Sequence, residues 1–141
     1  MASNDALRVV LDTNVILSSV SGRSPYKSIL DDLLAGKYEL LVTNDILLEY
    51  EEKLIEIFDR EVAELLLGAL AFLPNVKKVE VHFQLQLIPQ DVDDNKFVDC
   101  AFAGNAHYLV TNDKHYNVLK RIDFPLINII KIEEFKVLLQ K

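Results

Sequence analysis

The run Val9-Val10-Leu11-Asp12-Thr13-Asn14 constrains this chain more than any other stretch. Three apolar residues, two of them β-branched, lead straight into an acid and then into two residues that favour turns and helix starts. Such a run is a buried strand that delivers a carboxylate to its carboxyl end, with a helix opening at Thr13 or Asn14. The same event recurs at Tyr108-Leu109-Val110-Thr111-Asn112-Asp113. In open α/β sheets ligands and chemistry gather at that edge. Two further acids, Glu49 and Asp94, fall near the starts of helical segments between the two strands. The four carboxylates are expected to converge on a divalent metal.

The rest of the chain is ordinary enough to support such a fold. At 141 residues it reads as one domain, residues 1–141, long enough to bury roughly two thirds of its unfolded surface. Half of the residues are hydrophobic, and glycine and proline are scarce at four each, which excludes a disordered chain. Cys100 is the lone cysteine, so there is neither an intrachain disulfide nor a thiolate-cluster metal site. Residues 1–8 lack the basic and apolar regions of a signal peptide. The longest nearly uncharged apolar stretch, Leu65 to Leu73, is far short of the about 20 residues that span a bilayer. A cytoplasmic protein without a membrane segment is the expectation. The net charge of −7 is awkward for a nucleic-acid binder, which draws on basic surface, but suits a metal cleft, where clustered acids need a cation among them. Most of the 22 acids are simply solvated surface.

Taken in order, strands alternate with helices. A Ser/Gly-rich loop at 18–24 precedes a helix that opens at Pro25, carries Tyr26, Ile29, Leu30, Leu33 and Leu34 on one face, and ends at Gly36. Tyr38–Val42 reads as a strand, and Thr43 or Asn44 caps a helix reaching about Phe58 with Glu49 inside it. The segment 61–72 is apolar on most sides, which predicts a deeply buried helix with several neighbours, an interface between copies being the alternative. A strand is expected near Val79–Phe83, then a polar loop, a helix at about 95–104, a strand at Tyr108–Thr111, a short helix at 114–120, a strand at 127–130 and a closing helix at 132–139. The alternation predicts a three-layer α/β/α sandwich around a central, mainly parallel sheet of about five strands.

Each acid has a structural reading beside the chemical one. Asp12 is able to cap the following helix, but a carboxylate at the end of an apolar strand is costly to bury without a cation or donors. Asn112-Asp113 is good turn chemistry, yet it too follows a buried strand. Asp94 competes with Asp91 and Asp93 and is preferred because it directly precedes the amphipathic Asn95-Lys96-Phe97-Val98. Asp99 lies about 140° further round that helix and either lines the cleft or is solvated. Glu49 stands beside Leu47, Leu48 and Tyr50, which suggests partial burial. With no Cys or His pair at metal spacing, an oxygen-rich donor set points to Mg²⁺ or Mn²⁺ and not zinc. His82 is expected on an exposed strand and His107 in a loop or helix end, while His115, two residues after Asp113, is a candidate contact for a substrate phosphate. No motif frames a catalytic serine, and Cys100 reads as helix core.

These segments together resemble a known family. Leu11-Asp12-Thr13-Asn14-Val15, then Glu49, then Asp93-Asp94-Asn95-Lys96-Phe97 with Asp99 and Ala101, then Val110-Thr111-Asn112-Asp113-Lys114-His115 resemble the PIN domain. The branch they look most like is the bacterial and archaeal toxins of toxin–antitoxin systems, related to VapC-type ribonucleases. The resemblance runs over nearly the whole chain; its motifs are short, but their order and spacing are specific. It implies a four-acid site at Asp12, Glu49, Asp94 and Asp113, an auxiliary acid at Asp99, and small polar neighbours at Thr13, Asn14 and Thr111. Asn112 departs from the Gly, Arg or Ser common in relatives. The resemblance further implies metal-dependent hydrolysis of RNA, with Asp12, Asp94 and Asp113 holding Mg²⁺ or Mn²⁺, and with Lys114 and His115 as phosphate contacts. A small antitoxin partner and a homo-oligomer, dimer or tetramer, are implied as well.

Three rivals remain distinguishable. A HAD-type phosphatase needs a second acid two residues after the first, where this chain has Asn14. A receiver domain needs a phospho-accepting Asp at the end of a central strand, and the strand at 38–42 ends in Thr43. A non-catalytic PIN-like module that binds RNA or protein shares every motif and is separated only by assay.

Overall fold

The computed structural model describes residues 6–88, 92–122 and 126–141. Five strands, β1 (Arg8–Leu11), β2 (Glu39–Val42), β3 (Val76–Lys78), β4 (Tyr108–Val110) and β5 (Ile129–Ile130), form one sheet in the order β3-β2-β1-β4-β5. Every neighbouring pair is parallel. Val9, Val10 and Leu11 are all fully buried, and successive strand residues point to opposite faces, so both faces of the sheet are covered. The covering helices are α1 (Thr13–Val20), α2 (Lys27–Leu34), α3 (Asn44–Ile57), α4 (Arg60–Phe72), α5 (Asn95–Ala103) and α6 (Ile132–Leu139). This is the expected α/β arrangement.

The chain winds outward from β1 through β2 to β3, then crosses back to add β4 and β5 on the other side of β1. The winding reverses between β1 and β4, which opens a crevice at their carboxyl ends. Register matters here: Leu11 pairs with Val110, so Asp12 and Thr111 emerge side by side from adjacent strands. The backbone N–H of Asp12 still donates to Val110 O at 3.1 Å, so the last rung of the ladder fixes the acid's height.

Local signals explain the flanking elements. Thr43 caps α3, its hydroxyl accepting from the N–H of Ile46 at 3.1 Å, and Asp59 caps α4 through the N–H of Val62 at 2.8 Å. Gly36, just past α2, has φ +78, a conformation that side chains rarely adopt. Gly104 ends α5 where a Cβ would lie 2.8 Å from Leu41 Cδ1 and 2.9 Å from Val79 Cγ2, so the helix end sits hard against β2.

Several expectations need correction. α1 continues through Ser18 and Ser19 to Val20 before the Ser/Gly loop begins, with the Ser19 hydroxyl bonded back to Ile16 O at 2.8 Å. No strand forms at Val79–Phe83; the edge strand is Val76–Lys78, and 79–88 has no regular structure. Val79 N–H donates to Val42 O at 2.7 Å, and beyond that β2 has turned into α3 and offers no further partner. The segment 61–72 is a helix, but only Ala63, Leu66 and Leu70 are buried, whereas Leu65 is 69% and Phe72 89% exposed. It lies outermost, against α3, and buries one face instead of several. The short helix expected at 114–120 is present, as a 3₁₀ helix, Lys114–Arg121. Among the described residues no helix is long and apolar enough to cross a membrane.

Candidate active site

The crevice at the carboxyl ends of β1 and β4 receives three of the four expected acids. Asp12 stands at the head of α1, yet its carboxylate makes no capping bond to that helix. It accepts instead from the Thr111 hydroxyl at 2.7 Å, and the same Thr111 oxygen accepts the N–H of Asp113 at 3.0 Å. One buried threonine therefore spaces Asp12 from Asp113. Asp94 arrives from the other direction, at the end of a 3₁₀ turn, Val92–Asp94, that runs directly into α5. It is buried, whereas its neighbour Asp93 is exposed and Asp91 lies outside the described residues. The Tyr116 hydroxyl donates to the Asp94 carbonyl at 3.3 Å and ties the turn to the 3₁₀ helix after β4.

The electrostatics of this group are adverse. Asp12 is 6% exposed, and burial pushes its carboxyl up from 3.8 to about 6. The Thr111 hydroxyl and the backbone of Thr13 pull it down, while Asp94 and Asp113 push it up again. Among the described residues no lysine or arginine pairs with Asp12 or Asp113. The imidazole Nδ1 of His115 lies 3.4 Å from Asp94 Oδ2 and 3.5 Å from Asp113 Oδ1. The Asp113 carboxylate in turn accepts the N–H of His115 at 2.9 Å, which folds the imidazole back over the acids. Ligand atoms of Asp94, Asp113 and His115 lie within 4.8 Å of one another, a spacing that suits a cation. Carboxylate oxygens with one imidazole and a hydroxyl nearby suit a hard or borderline divalent ion, the imidazole favouring Mn²⁺. The donor set therefore fits a divalent metal.

Glu49 sits beside this group in a different environment. The Tyr50 hydroxyl donates to Leu11 O at 2.6 Å, which docks α3 on the end of β1 and carries the preceding residue toward α1. One Glu49 oxygen accepts from the Thr13 hydroxyl, and the other lies 2.5 Å from Lys96 Nζ on α5. Both oxygens are engaged, and the ion pair is four-fifths buried. Asp99, which lines the same hollow as Glu49 and Lys96, is buried and accepts the N–H of Leu85 at 3.0 Å, so it anchors the irregular 79–88 segment; burial raises its carboxyl. Asn95 holds the same segment by bonding the N–H and carbonyl of Ile88 at 2.8 and 2.9 Å. Asn14 is exposed and makes no side-chain hydrogen bond among the described residues, and Lys114 is exposed at the crevice rim. His82 is exposed but lies on no strand, and His107 takes the N–H of Arg8 on its Nδ1 at 2.9 Å.

One partner escaped sequence reasoning and another was read in a different role. Lys96 was visible only as part of Asn95-Lys96-Phe97, and nothing local linked it to a glutamate on another helix. His115 was singled out only as a phosphate contact, and its place beside Asp94 as well as Asp113 depends on a contact between distant segments.

A doubly wound parallel α/β sheet with carboxylates gathered at its switch point defines the class. The chain matches the PIN domain family over residues 8–115 and belongs to it. No curated protein gives a significant sequence match. Similar folds occur in VapBC2 from Rickettsia felis bound to a promoter DNA fragment (18% identity, TM-score 0.61, 89% of this chain and 98% of that one). VapBC-1 from nontypeable Haemophilus influenzae is comparable (16%, TM-score 0.61, 90% and 99%). The PIN domain endonuclease Utp24 is more distant in shape (21%, TM-score 0.50, 88% and 84%).

Proposed function

We propose that this chain is a metal-dependent endoribonuclease whose centre is Asp12, Asp94 and Asp113, and that it acts in the cytoplasm as the toxin of a toxin–antitoxin pair. The carrying observation is that Asp94 and Asp113 gather with His115 at the switch point of a PIN fold, close enough to Asp12 to raise its carboxyl, and that among the described residues no lysine or arginine pairs with Asp12 or Asp113. The likeness to VapBC complexes and to a PIN endonuclease supports nuclease chemistry and a small protein partner.

The three aspartates, with His115 alongside, would hold Mg²⁺ or Mn²⁺. A bound ion lowers the pKa of a coordinated water and offsets charge that builds on the phosphate. The chain's own groups do the positioning. Glu49, fixed by Thr13 and Lys96, orients the attacking water toward the phosphorus, and the proton that water gives up leaves to solvent. Lys114, at the rim, meets the phosphate oxygens. Cleavage leaves 5′-phosphate and 3′-hydroxyl ends. A homo-oligomer, dimer or tetramer, belongs to the same reading, and the exposed Leu65 and Phe72 of α4 supply apolar surface for it.

The test is incubation of purified protein with single-stranded RNA under Mg²⁺, Mn²⁺ or EDTA, followed by end analysis. Cleavage with either ion and none with EDTA is expected. Binding of RNA with no cleavage under any divalent ion would establish the non-catalytic module instead.

A further inference from the structure

Two hollows flank the acids, and they differ in charge. The larger, about 1550 Å³, runs from the start of α3 along the 79–88 segment and is lined by six acids and three lysines. Two of those lysines are already committed, Lys53 to Glu56 and Lys96 to Glu49. The smaller, about 200 Å³, lies on the opposite flank, between the end of β4, the 3₁₀ helix and the start of α6. Lys114, Lys120 and Lys131 line it together with Asn112 and Asn117. None of these three ammonium groups pairs with a carboxylate among the described residues.

We infer that the small hollow is a subsite for a backbone phosphate of single-stranded RNA next to the one being cut. The inference rests on the nuclease reading above and extends it to how the strand lies. Its volume is below the roughly 300 Å³ of ordinary small-molecule pockets, which suits a phosphate and not a base. Thr111 and Asp113 form its inner wall, so an occupant adjoins the acid cluster. Its lining sets three lysines against two carboxylates and stays net positive: Asp113 lies beside His115 of the acid cluster, and Glu134 is held by the backbone N–H of Lys131 at 2.8 Å. Asn112 is likewise turned inward, its oxygen accepting the N–H of Ile132 at 3.0 Å and tying the β4 loop to the start of α6. In a chain of net charge −7, three uncommitted lysines around one concavity beside the acids are the local field a phosphate needs. The strand therefore crosses the crevice toward α6 and away from the larger acidic groove.

The experiment uses the full chain carrying Asp12→Asn, with Mg²⁺ present, so that RNA binds without being cut. Anisotropy of a fluorescein-labelled oligouridylate is read across a salt series. Each lost phosphate contact lowers the slope of log K against log salt by about 0.7 on a single strand. K120Q/K131Q, which strips the charge from this one phosphate contact, is expected to weaken binding and lower that slope by about 0.7. K120R/K131R, which keeps the charge, is expected to retain it. K53Q/K78Q, in the larger groove, is expected to leave the slope unchanged. An unchanged slope in K120Q/K131Q overturns the inference, as does an equal loss in K120R/K131R or in K53Q/K78Q. Failure of the D12N parent to bind the oligouridylate at low salt overturns the RNA-nuclease reading together with it.

Discussion

Two carboxylate environments lie side by side, and they are built on opposite plans. Glu49 is compensated: a lysine holds one oxygen and a threonine hydroxyl the other. Asp12 is buried more deeply, receives one threonine hydroxyl, and faces two further aspartates. A buried carboxylate left among like charges is costly, and a fold keeps that arrangement only where something outside the chain relieves it. The first environment is thus a finished structural unit, and the second is the one that the proposed cation would complete. Folding alone satisfies Glu49; on the proposed reading, binding would satisfy Asp12.

The largest expected effect is at Asp12. Asp12→Asn keeps the volume and an oxygen for Thr111 but removes the charge. Cleavage should fall by at least about a thousandfold, the scale of losing one transition-state charge stabiliser. The apo protein should become as stable as the parent or more so at pH 7, read by thermal unfolding. Loss of stability with activity would place Asp12 among ordinary core residues and erase the contrast with Glu49.

The second effect is on pH. The Asp12 carboxyl is raised in the fold, from 3.8 to about 6, so the folded state holds its proton over a range where the unfolded chain has lost it. The contribution is neutral below pH 3.8, becomes unfavourable as pH rises toward 6, and is constant above that. The cost of this group at neutral pH is at most about 3 kcal/mol. Denaturant titrations of metal-free protein should therefore show this loss between pH 4 and 6, absent in Asp12→Asn, and saturating Mn²⁺ should restore stability at pH 7. A metal-free profile identical in the parent and in Asp12→Asn defeats the argument.

Third comes the compensated pair. Lys96→Met leaves Glu49 partly buried without its cation and should cost about 1–3 kcal/mol, less than a fully buried pair because both side chains keep some solvent. Activity should fall about 10- to 100-fold, as for other groups that orient a reacting centre. Glu49→Gln combined with Lys96→Met should recover much of the stability but none of the activity. A double-mutant cycle with coupling below about 0.5 kcal/mol would show that the two side chains do not act as a unit.

What the sequence revealed follows from the range of each interaction. The strand-then-acid runs at Asp12 and Asp113 were legible because burial and termination are local, and the alternation of elements set the parallel sheet. Asp94 was separable from Asp93 because the start of an amphipathic helix marks which acid turns inward. The edge strand was misplaced because β3 ends where its partner β2 ends, a fact held by Val42 and Thr43 and not by residues 79–83. The apolar residues of α4 signalled a helix but not how many neighbours it has, so the exposure of Leu65 and Phe72 went unseen. The Glu49–Lys96 pair joins two helices from opposite halves of the chain, and no spacing rule reaches that far.

The smallest effects give the finest comparison, because each environment contains one threonine. Thr111→Val removes a donor from Asp12 and an acceptor from the Asp113 N–H, at a cost of about 1–3 kcal/mol. It should also raise the Asp12 carboxyl further, since the Thr111 hydroxyl is the strongest influence lowering it. The pH at which metal-free stability is lost should then move upward, and metal affinity measured at pH 6 should weaken more than at pH 8. Thr13→Val removes the matching donor from Glu49, but Lys96 remains on the other oxygen. Its stability cost should be near 1 kcal/mol, with the pH profile unmoved. Titrating both variants with Mn²⁺ at the two pH values decides the matter. Equal shifts in both would mean that Asp12 and Glu49 share one electrostatic environment, and that Lys96 compensates the whole crevice and not one carboxylate.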